Sequence, residues 1–580
     1  MHFPILEVSL MALAVYAQAS TPPSIALDWG IWQSQVDSLD SKIYVWNNVR
    51  FADEPPRFGK PSFPKGKNTS STIDSCYQAS PRSERFPAIQ LPRDTVPQGE
   101  DCLGLDIYAP VDNFDDNGGV GEPLPVIVWI YGGGYTAGTK RPDPDMLYTG
   151  QSILRATGYK AIFVAGNYRL GAFGWLAGNY METLTSQGEA QTNAGLYDQA
   201  LMLQFVSQFI SKVGGDPGKI SVWGESAGAS SIMHHLVREG GTVDPGFRSF
   251  FVQSPAFQWS WDNSPGGTMD KTFQSFSGKA KCGTVFNITC LKGRDVSDLV
   301  QANQDIVDDA WGNHMFPVGP SIDNGWIQNL PALTFSTAGS YWPTINSALI
   351  SHTGNEAFLF TPITSIVTKQ TIIDFLSKFF PGETLQSVRD QILGNYTKPC
   401  DSTYPGWKTC LNHIIRDSSF TCNTRWLHDA YPKANRWMMA YNFPNPVEAV
   451  HAFDLVPLYM NTFQDAFNLI RRNAPKLIPD STVSSIASGV SNVVMQTYQA
   501  YAGSFGVSGD PNPVKLPAAA AWPTAQAGTA YGNVMGVSNA NGWALGPDTK
   551  NTEGICQFWN GIATQVMAAR GKQEEVKDDL

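Results

Sequence analysis

The sequence predicts an α/β fold built on a large, mostly parallel central sheet flanked by helices. Three observations predict it. Pro125-Val126-Ile127-Val128-Trp129-Ile130 and Ala161-Ile162-Phe163-Val164-Ala165 are nearly continuous apolar runs, as expected of strands covered on both faces. Residues 193–209 read as a helix, with Leu201, Leu203, Phe205, Val206 and Phe209 apolar. Ile220-Ser221-Val222-Trp223 then reads as a further strand that runs into a tight turn and a small-residue helix start. Strand, helix, strand in that order suggests a right-handed parallel unit.

Taken in order, residues 1–19 read as a secretory signal peptide. Val8 to Ala14 is short and mostly apolar, and Ala17-Gln18-Ala19 is an A-x-A cleavage site, although the n-region lacks Lys and Arg and carries Glu7. This leaves 20–580 as a single domain, long for one core but within the range of α/β enzymes with insertions. Ile43-Tyr44-Val45-Trp46 is a strand-forming run, and Pro55 to Pro64 is too broken by proline for a helix. Cys76 and Cys102 bracket a polar, proline-rich segment. The central strand at 125–130 ends in Tyr131-Gly132-Gly133-Gly134-Tyr135, whose approachable backbone amides suit an oxyanion hole. The alternatives are an ordinary Gly-rich loop and a phosphate cradle; the cradle fails, because Gly138 is followed by Thr139-Lys140-Arg141 rather than the G-K-S/T order.

Gly224-Glu225-Ser226-Ala227-Gly228 fits G-x-S-x-G, the nucleophile elbow. The bland alternative is a Gly/Ser turn between two elements. The flanks supply the strand–turn–helix context that the elbow needs, so Ser226 is the predicted nucleophile, at a C-terminal strand edge where open α/β sheets place their sites.

Composition bounds the rest. Hydrophobic content of 42% and charged content of 16% describe an ordered globular chain. A net charge of −11 argues against nucleic acid or an anionic membrane as partner. No later apolar run has the length to span a bilayer, so stable membrane insertion is not expected. Eight cysteines in a chain with a signal suggest disulfides. Neither C-x-x-C nor H-E-x-x-H occurs, so no metal or other cofactor is expected. Sequons at Asn68, Asn287 and Asn395 predict glycans on surface loops. Lys577-Asp578-Asp579-Leu580 is similar to an ER-retrieval signal, against the simpler reading of a solvated charged end.

The chain resembles the type B carboxylesterase/lipase family, the α/β-hydrolases that include cholinesterases and fungal lipases. Matching stretches are Val49-Arg50-Phe51-Ala52, Glu100-Asp101-Cys102-Leu103, Tyr131 to Gly134, Asn167 to Gly171, Asn193 to Gln199 and Gly224 to Gly228. Pro317-Val318 before Asp323, Gly509 to Asn512 and Trp522-Pro523 extend the match over nearly the whole mature chain. The resemblance implies the α/β-hydrolase fold and a serine ester hydrolase that works through an acyl-enzyme.

A serine needs a base, and the base an orienting carboxylate, in the chain order Ser, Asp/Glu, His. Of eight histidines, His451 lies in Val450-His451-Ala452-Phe453-Asp454-Leu455, which resembles the family's H-G-x-D-L stretch around its base, with Ala452 in place of glycine. His234 and His235 read as packing or surface groups on the helix after the elbow. His314, His352, His413 and His428 have no partner identifiable in the sequence. Ile350 to Phe358 resembles the segment that ends D-E-G and makes Glu356 the acid, with Asn355 and Ala357 where Asp and Gly are usual; Asp323 and Asp454 are the runners-up. The oxyanion hole is expected from the N–H groups of Gly133, Gly134 and Ala227. Glu225 is placed by the resemblance under the site as a buried carboxylate with no direct part in the chemistry. The resemblance also implies disulfides Cys76–Cys102 and Cys282–Cys290; Cys400, Cys410, Cys422 and Cys556 then allow three pairings.

Substrate class is the open question. Related lipases have an apolar lid in the loop closed by the first disulfide. Here that loop is arginine- and proline-rich, with Phe86, Ile89 and Leu91 among few large apolar side chains, which favours small soluble esters over lipid esters. The alternatives are a triacylglycerol or sterol-ester lipase, a choline-ester specialist, and a cholinesterase-like binding module without activity. The last is disfavoured because serine, base, acid candidate and glycine loop are all retained. Oligomeric state is not legible.

Overall fold

The computed structural model describes residues 22–67, 72–82, 96–115, 118–141, 149–313, 315–361, 366–397, 406–442, 448–473, 481, 484, 490–539 and 542–578. At its centre lies an eleven-stranded mixed sheet. In chain order its strands are β1 (Gln35–Val36), β2 (Ile43–Arg50), β3 (Gly104–Pro110), β4 (Leu124–Ile130), β5 (Ile162–Gly166), β6 (Gly215–Glu225), β7 (Ser249–Gln253), β8 (Ser347–Thr353), β9 (Asn435–Tyr441), β10 (Tyr531–Asn539) and β11 (Gly542–Asp548). Their spatial order is β11-β10-β9-β8-β7-β6-β4-β5-β3-β2-β1. The seven strands from β10 to β5 run parallel, and the flanking strands are antiparallel to their neighbours. The predicted strands at 43–46, 125–130, 161–165 and 220–223 are all present; the first and last extend well beyond those bounds, and the other two differ by one residue.

The apolar runs are explained by burial on both faces. Val126 to Ile130, Ile162 to Ala165 and Val222 to Trp223 are fully inside, and each such side chain contributes roughly 1.5–3 kcal/mol by leaving water. Helices flank the sheet: α1 (Ala194–Phe209), α2 (Ala227–Leu236), α3 (Val296–Trp311), α4 (Gly406–Arg416), α5 (Cys422–Ala430), α6 (Asn492–Ser508) and α7 (Glu553–Asp578). The expected 193–209 helix is α1. A π-helical turn, Asp417–Thr421, joins α4 to α5 without a break.

Four of the stretches that carried the resemblance meet in two ion pairs. Arg50, fully buried, forks onto Asp101 through Nη1–Oδ1 and Nη2–Oδ2 bonds of 2.6 and 2.7 Å. Arg169 does the same to Asp198 on α1, at 2.8 and 2.7 Å. Each therefore locks a loop to its neighbour with the bidentate geometry that makes a buried charge tolerable. Disulfides Cys76–Cys102 and Cys282–Cys290 are formed as expected. Of the remaining four cysteines, Cys422 bonds Cys556 and so fastens the start of α5 to α7; Cys400 lies outside the described residues. The predicted signal peptide also lies outside them.

Candidate active site

Strand β6 delivers Ser226 at the C-terminal edge of the sheet, and α2 starts one residue later. Ser226 has φ 55° and ψ −123°, a left-handed backbone that a side-chain-bearing residue rarely adopts. Two glycines make the turn feasible. A Cβ at Gly224 would lie 2.7 Å from the Gly228 carbonyl carbon, and one at Gly228 would run into the Ile130 carbonyl on β4. The elbow is pinned on both sides: Ser226 N–H donates to Gln253 O at the end of β7, and Ser226 O accepts from Ser230 N–H and Ala256 N–H.

The glycine loop after β4 lies against this serine. A Cβ on Gly132 would come within 2.8 Å of Ser226 Cβ. Gly133 and Gly134 both have positive φ, at 114° and 62°. Among the described residues the N–H groups of Gly133, Gly134 and Ala227 make no hydrogen bond, and the last is one of the orphan donors of a helix start. Among the described residues these three amides are thus left unpaired, two in the glycine loop beside the elbow and one directly after Ser226.

His451 and Glu356 reach the same point from the loops after β9 and β8. His451 Nε2 lies 2.8 Å from Ser226 Oγ, and Nδ1 lies 2.7 Å from Glu356 Oε2. An ionised carboxylate only accepts, so Nδ1 carries the proton and Nε2 is left to accept from the serine hydroxyl. The two loops are tied by main-chain bonds: Asn355 N–H donates to Ala449 O, and Gly354 N–H to Tyr441 O. Glu356 Oε1 accepts from Thr353 N–H at 2.6 Å. Two of the three departures from the resembled pattern are absorbed locally. Ala452 adopts φ 65°, keeping the left-handed conformation that glycine would take without strain. Asn355 Oδ1 accepts from Asn412 Nδ2 on α4.

The electrostatics follow from burial. Burial pushes the Glu356 carboxyl up, but the bond and charge of His451 outweigh it and hold it below the usual carboxylate value. Burial pushes the imidazole of His451 down; Glu225 and then Glu356 outweigh that, and the net shift is upward. Glu225 itself is pushed up to about 8 by burial, partly offset by His451, so that its charge depends on that of the imidazole. Its Oε1 lies 3.2 Å from His451 Nε2. The carboxyl expected merely beneath the site therefore touches the imidazole of His451.

Other candidates fall elsewhere. Asp323 accepts from Asn193 Nδ2 and the Ile327 N–H, and Asp454 accepts from Gln253 Nε2; neither bonds His451. His234 and His235 are buried packing groups bonded to Ser230 O and Gln199 Oε1. His314 and Asn68 lie outside the described residues, as do residues 83–95 of the loop closed by the first disulfide. Asn287 is half-buried and caps a short helix through a bond from Cys290 N–H, while Asn395 is exposed. Aromatic neighbours of the site carried no sequence signal. Phe420, from the π-helical turn, packs edge-on to His451 at 4.9 Å, and Phe360 does so at 5.4 Å. The Phe316 ring closes the approach to Gly134.

A serine elbow at the C-terminal edge of a parallel sheet, bonded to a histidine, defines an α/β-hydrolase of the serine-esterase class. The chain belongs to the Carboxylesterase family, whose model matches residues 29–559. A secreted lipase of Arthroderma benhamiae is 29% identical over 92% of this chain and 94% of its own. Carboxylesterase patB of Penicillium expansum is 31% identical over 63% of each chain, and lipase 2 of Geotrichum candidum is 28% identical over 73% of this chain and 79% of its own. The crystal structure of Aspergillus niger EstA superposes with a TM-score of 0.72 at 20% identity, covering 94% of this chain and 99% of that one.

Proposed function

We propose that the protein is a secreted carboxylic-ester hydrolase whose Ser226, His451 and Glu356 act as nucleophile, general base and orienting acid. Ser226 Oγ attacks the ester carbonyl while His451 Nε2 takes its proton, and the Gly133, Gly134 and Ala227 amides receive the oxyanion. His451 then gives the proton to the leaving alcohol, and water cleaves the acyl-enzyme by the reverse path. The observation that carries this reading is the pair of contacts at 2.8 and 2.7 Å that put one imidazole between the serine and a buried carboxylate. Residues 20–580 work as one domain after removal of 1–19, with glycans at Asn68, Asn287 and Asn395. The N-terminal residue and the mass loss on glycosidase treatment of the protein from culture medium test this processing; a chain starting at Met1 with no mass loss refutes it.

Small soluble esters are the preferred substrates on the polarity of the 76–102 segment. A second reading, a lipase, is favoured by the names of the Arthroderma and Geotrichum relatives. Hydrolysis of nitrophenyl esters from acetyl to palmitoyl, by the wild type and Ser226→Ala side by side, tests both. Loss of activity by at least about 10³-fold with the serine is expected, and full activity in the variant refutes the mechanism. A peak at short acyl chains supports the esterase; a sharp rate rise above the solubility limit of a triglyceride supports the lipase.

A further inference from the structure

His352 lies four residues before Glu356, at the end of β8, and is buried with both ring nitrogens engaged. Nδ1 lies 2.9 Å from Thr353 O, and Nε2 lies 2.8 Å from Asp548 Oδ2, at the C-terminal end of β11. A backbone carbonyl only accepts. Asp548 also behaves as an ionised acceptor, because its Oδ1 takes the N–H groups of Lys550 and Asn551 at 3.0 and 3.2 Å. Both nitrogens of His352 must therefore donate, and an imidazole that donates from both is a cation. We propose that His352 and Asp548 form a buried ion pair that positions Glu356, so that the C-terminal hairpin β10–β11 helps set the catalytic base; this rests on Glu356 being the orienting acid.

The contacts form a chain without slack. Asp548 holds the ring, the ring holds the carbonyl of Thr353, and the N–H of Thr353 donates to Glu356 Oε1. The next carbonyl, Gly354 O, accepts from Lys550 Nζ, and Lys550 is itself paired with Glu448 at 2.6 Å. The 548–550 segment thus grips two successive peptides of the acid loop. Around the pair the remaining charges are Glu356; Arg416 of α4, paired with Asp417; and Arg425 of α5, which donates to Asn551 O rather than to Asp548. Burial pushes the His352 pKa down, but Asp548 outweighs this and raises it to about 9, while Asp548 is held low. A positioning pair of this kind is charged throughout the working pH range of His451 and so does not compete with it for protons.

The test uses three variants of the full chain, assayed for kcat and KM on nitrophenyl acetate from about pH 6 to 10, with the ¹⁵N resonances of the histidine rings. Asp548→Asn keeps shape and removes the charge. Its kcat is expected to fall about tenfold at pH 7.5, the scale typical of an outer-shell partner, with KM little changed. It is also expected to lack the fall in kcat that the wild type is expected to show at alkaline pH as His352 loses its proton. The wild type at pH 8 is expected to show one doubly protonated ring that disappears in His352→Gln. A folded Asp548→Asn with the wild-type kcat profile, or a neutral His352 at pH 8, overturns the proposal. If Asp548→Asn does not fold, the ring resonance of the wild type still decides. Glu356→Gln separates the two readings: if it is active, the acid assignment fails; if it is inactive while Asp548→Asn matches the wild type, only the ion pair's role fails.

Discussion

Glu225 stands 3.2 Å from His451 Nε2, the nitrogen that faces the Ser226 hydroxyl, closer than a spectator beneath the site would be. When His451 becomes an imidazolium, the proton of Glu225 has the least reason to stay, and the resulting carboxylate stabilises the cation. That coupling contributes to the upward shift of His451. A base must be neutral to work, so a raised pKa moves the acid limb of kcat/KM to higher pH. Glu225→Gln removes the ionisable partner and keeps the shape. The acid limb is expected to move to lower pH, read from kcat/KM between about pH 5 and 9; an unmoved limb, or one moved upward, refutes the coupling. Ser226 was legible in the sequence because an elbow is a local device, five residues with glycines at fixed offsets. His451 and Glu356 were legible only through resemblance, since nothing in their own neighbours requires that they meet. The contact of Glu225 with His451 was not legible at all, because it joins residues brought together by tertiary structure alone.

Among the elements, β4, β5, β6 and α1 were readable because a strand or helix packed on both sides writes its burial into consecutive or periodic apolar residues. The hairpin β10–β11 was not. Gly532, Gly536, Gly542 and Gly546 dilute its apolar residues, and its register shifts twice. The π-helical turn was invisible for a different reason: one extra residue in a helical turn leaves no mark on composition, although it sets Phe420 against His451. The Arg169–Asp198 pair fixes α1 to the loop after β5, and both side chains are nearly free of solvent contact. Asp198→Ala leaves a buried guanidinium without its carboxylate and is expected to cost about 3–5 kcal/mol of folding stability. Replacing both partners with apolar side chains of similar size is expected to cost less. Urea unfolding of the three proteins checks this, and a smaller loss for Asp198→Ala than for the double variant contradicts it.

At the scale of the whole molecule, the Cys422–Cys556 bond joins segments 134 residues apart. Closing so long a loop in the unfolded chain contributes about 5 kcal/mol in the chain-entropy account, more than the eight-residue Cys282–Cys290 link can. Changing Cys422 and Cys556 together to Ala is therefore expected to lower the denaturation midpoint well below that of the Cys282/Cys290 double variant; equal midpoints refute the ranking.

The distances along the chain between the groups of the site have a further consequence. Ser226 and His451 are 225 residues apart, and Glu356 and His451 are 95 apart. Each group sits on a loop whose position depends on strands β6, β8 and β9 lying side by side, and contacts of such long range slow folding. Synthesis alone separates the serine from its base by roughly ten seconds or more at cellular elongation rates. The proposed site is thus among the last parts of the molecule to be completed: a chain released before residue 451 would carry Ser226 without the imidazole that the fold brings to its hydroxyl.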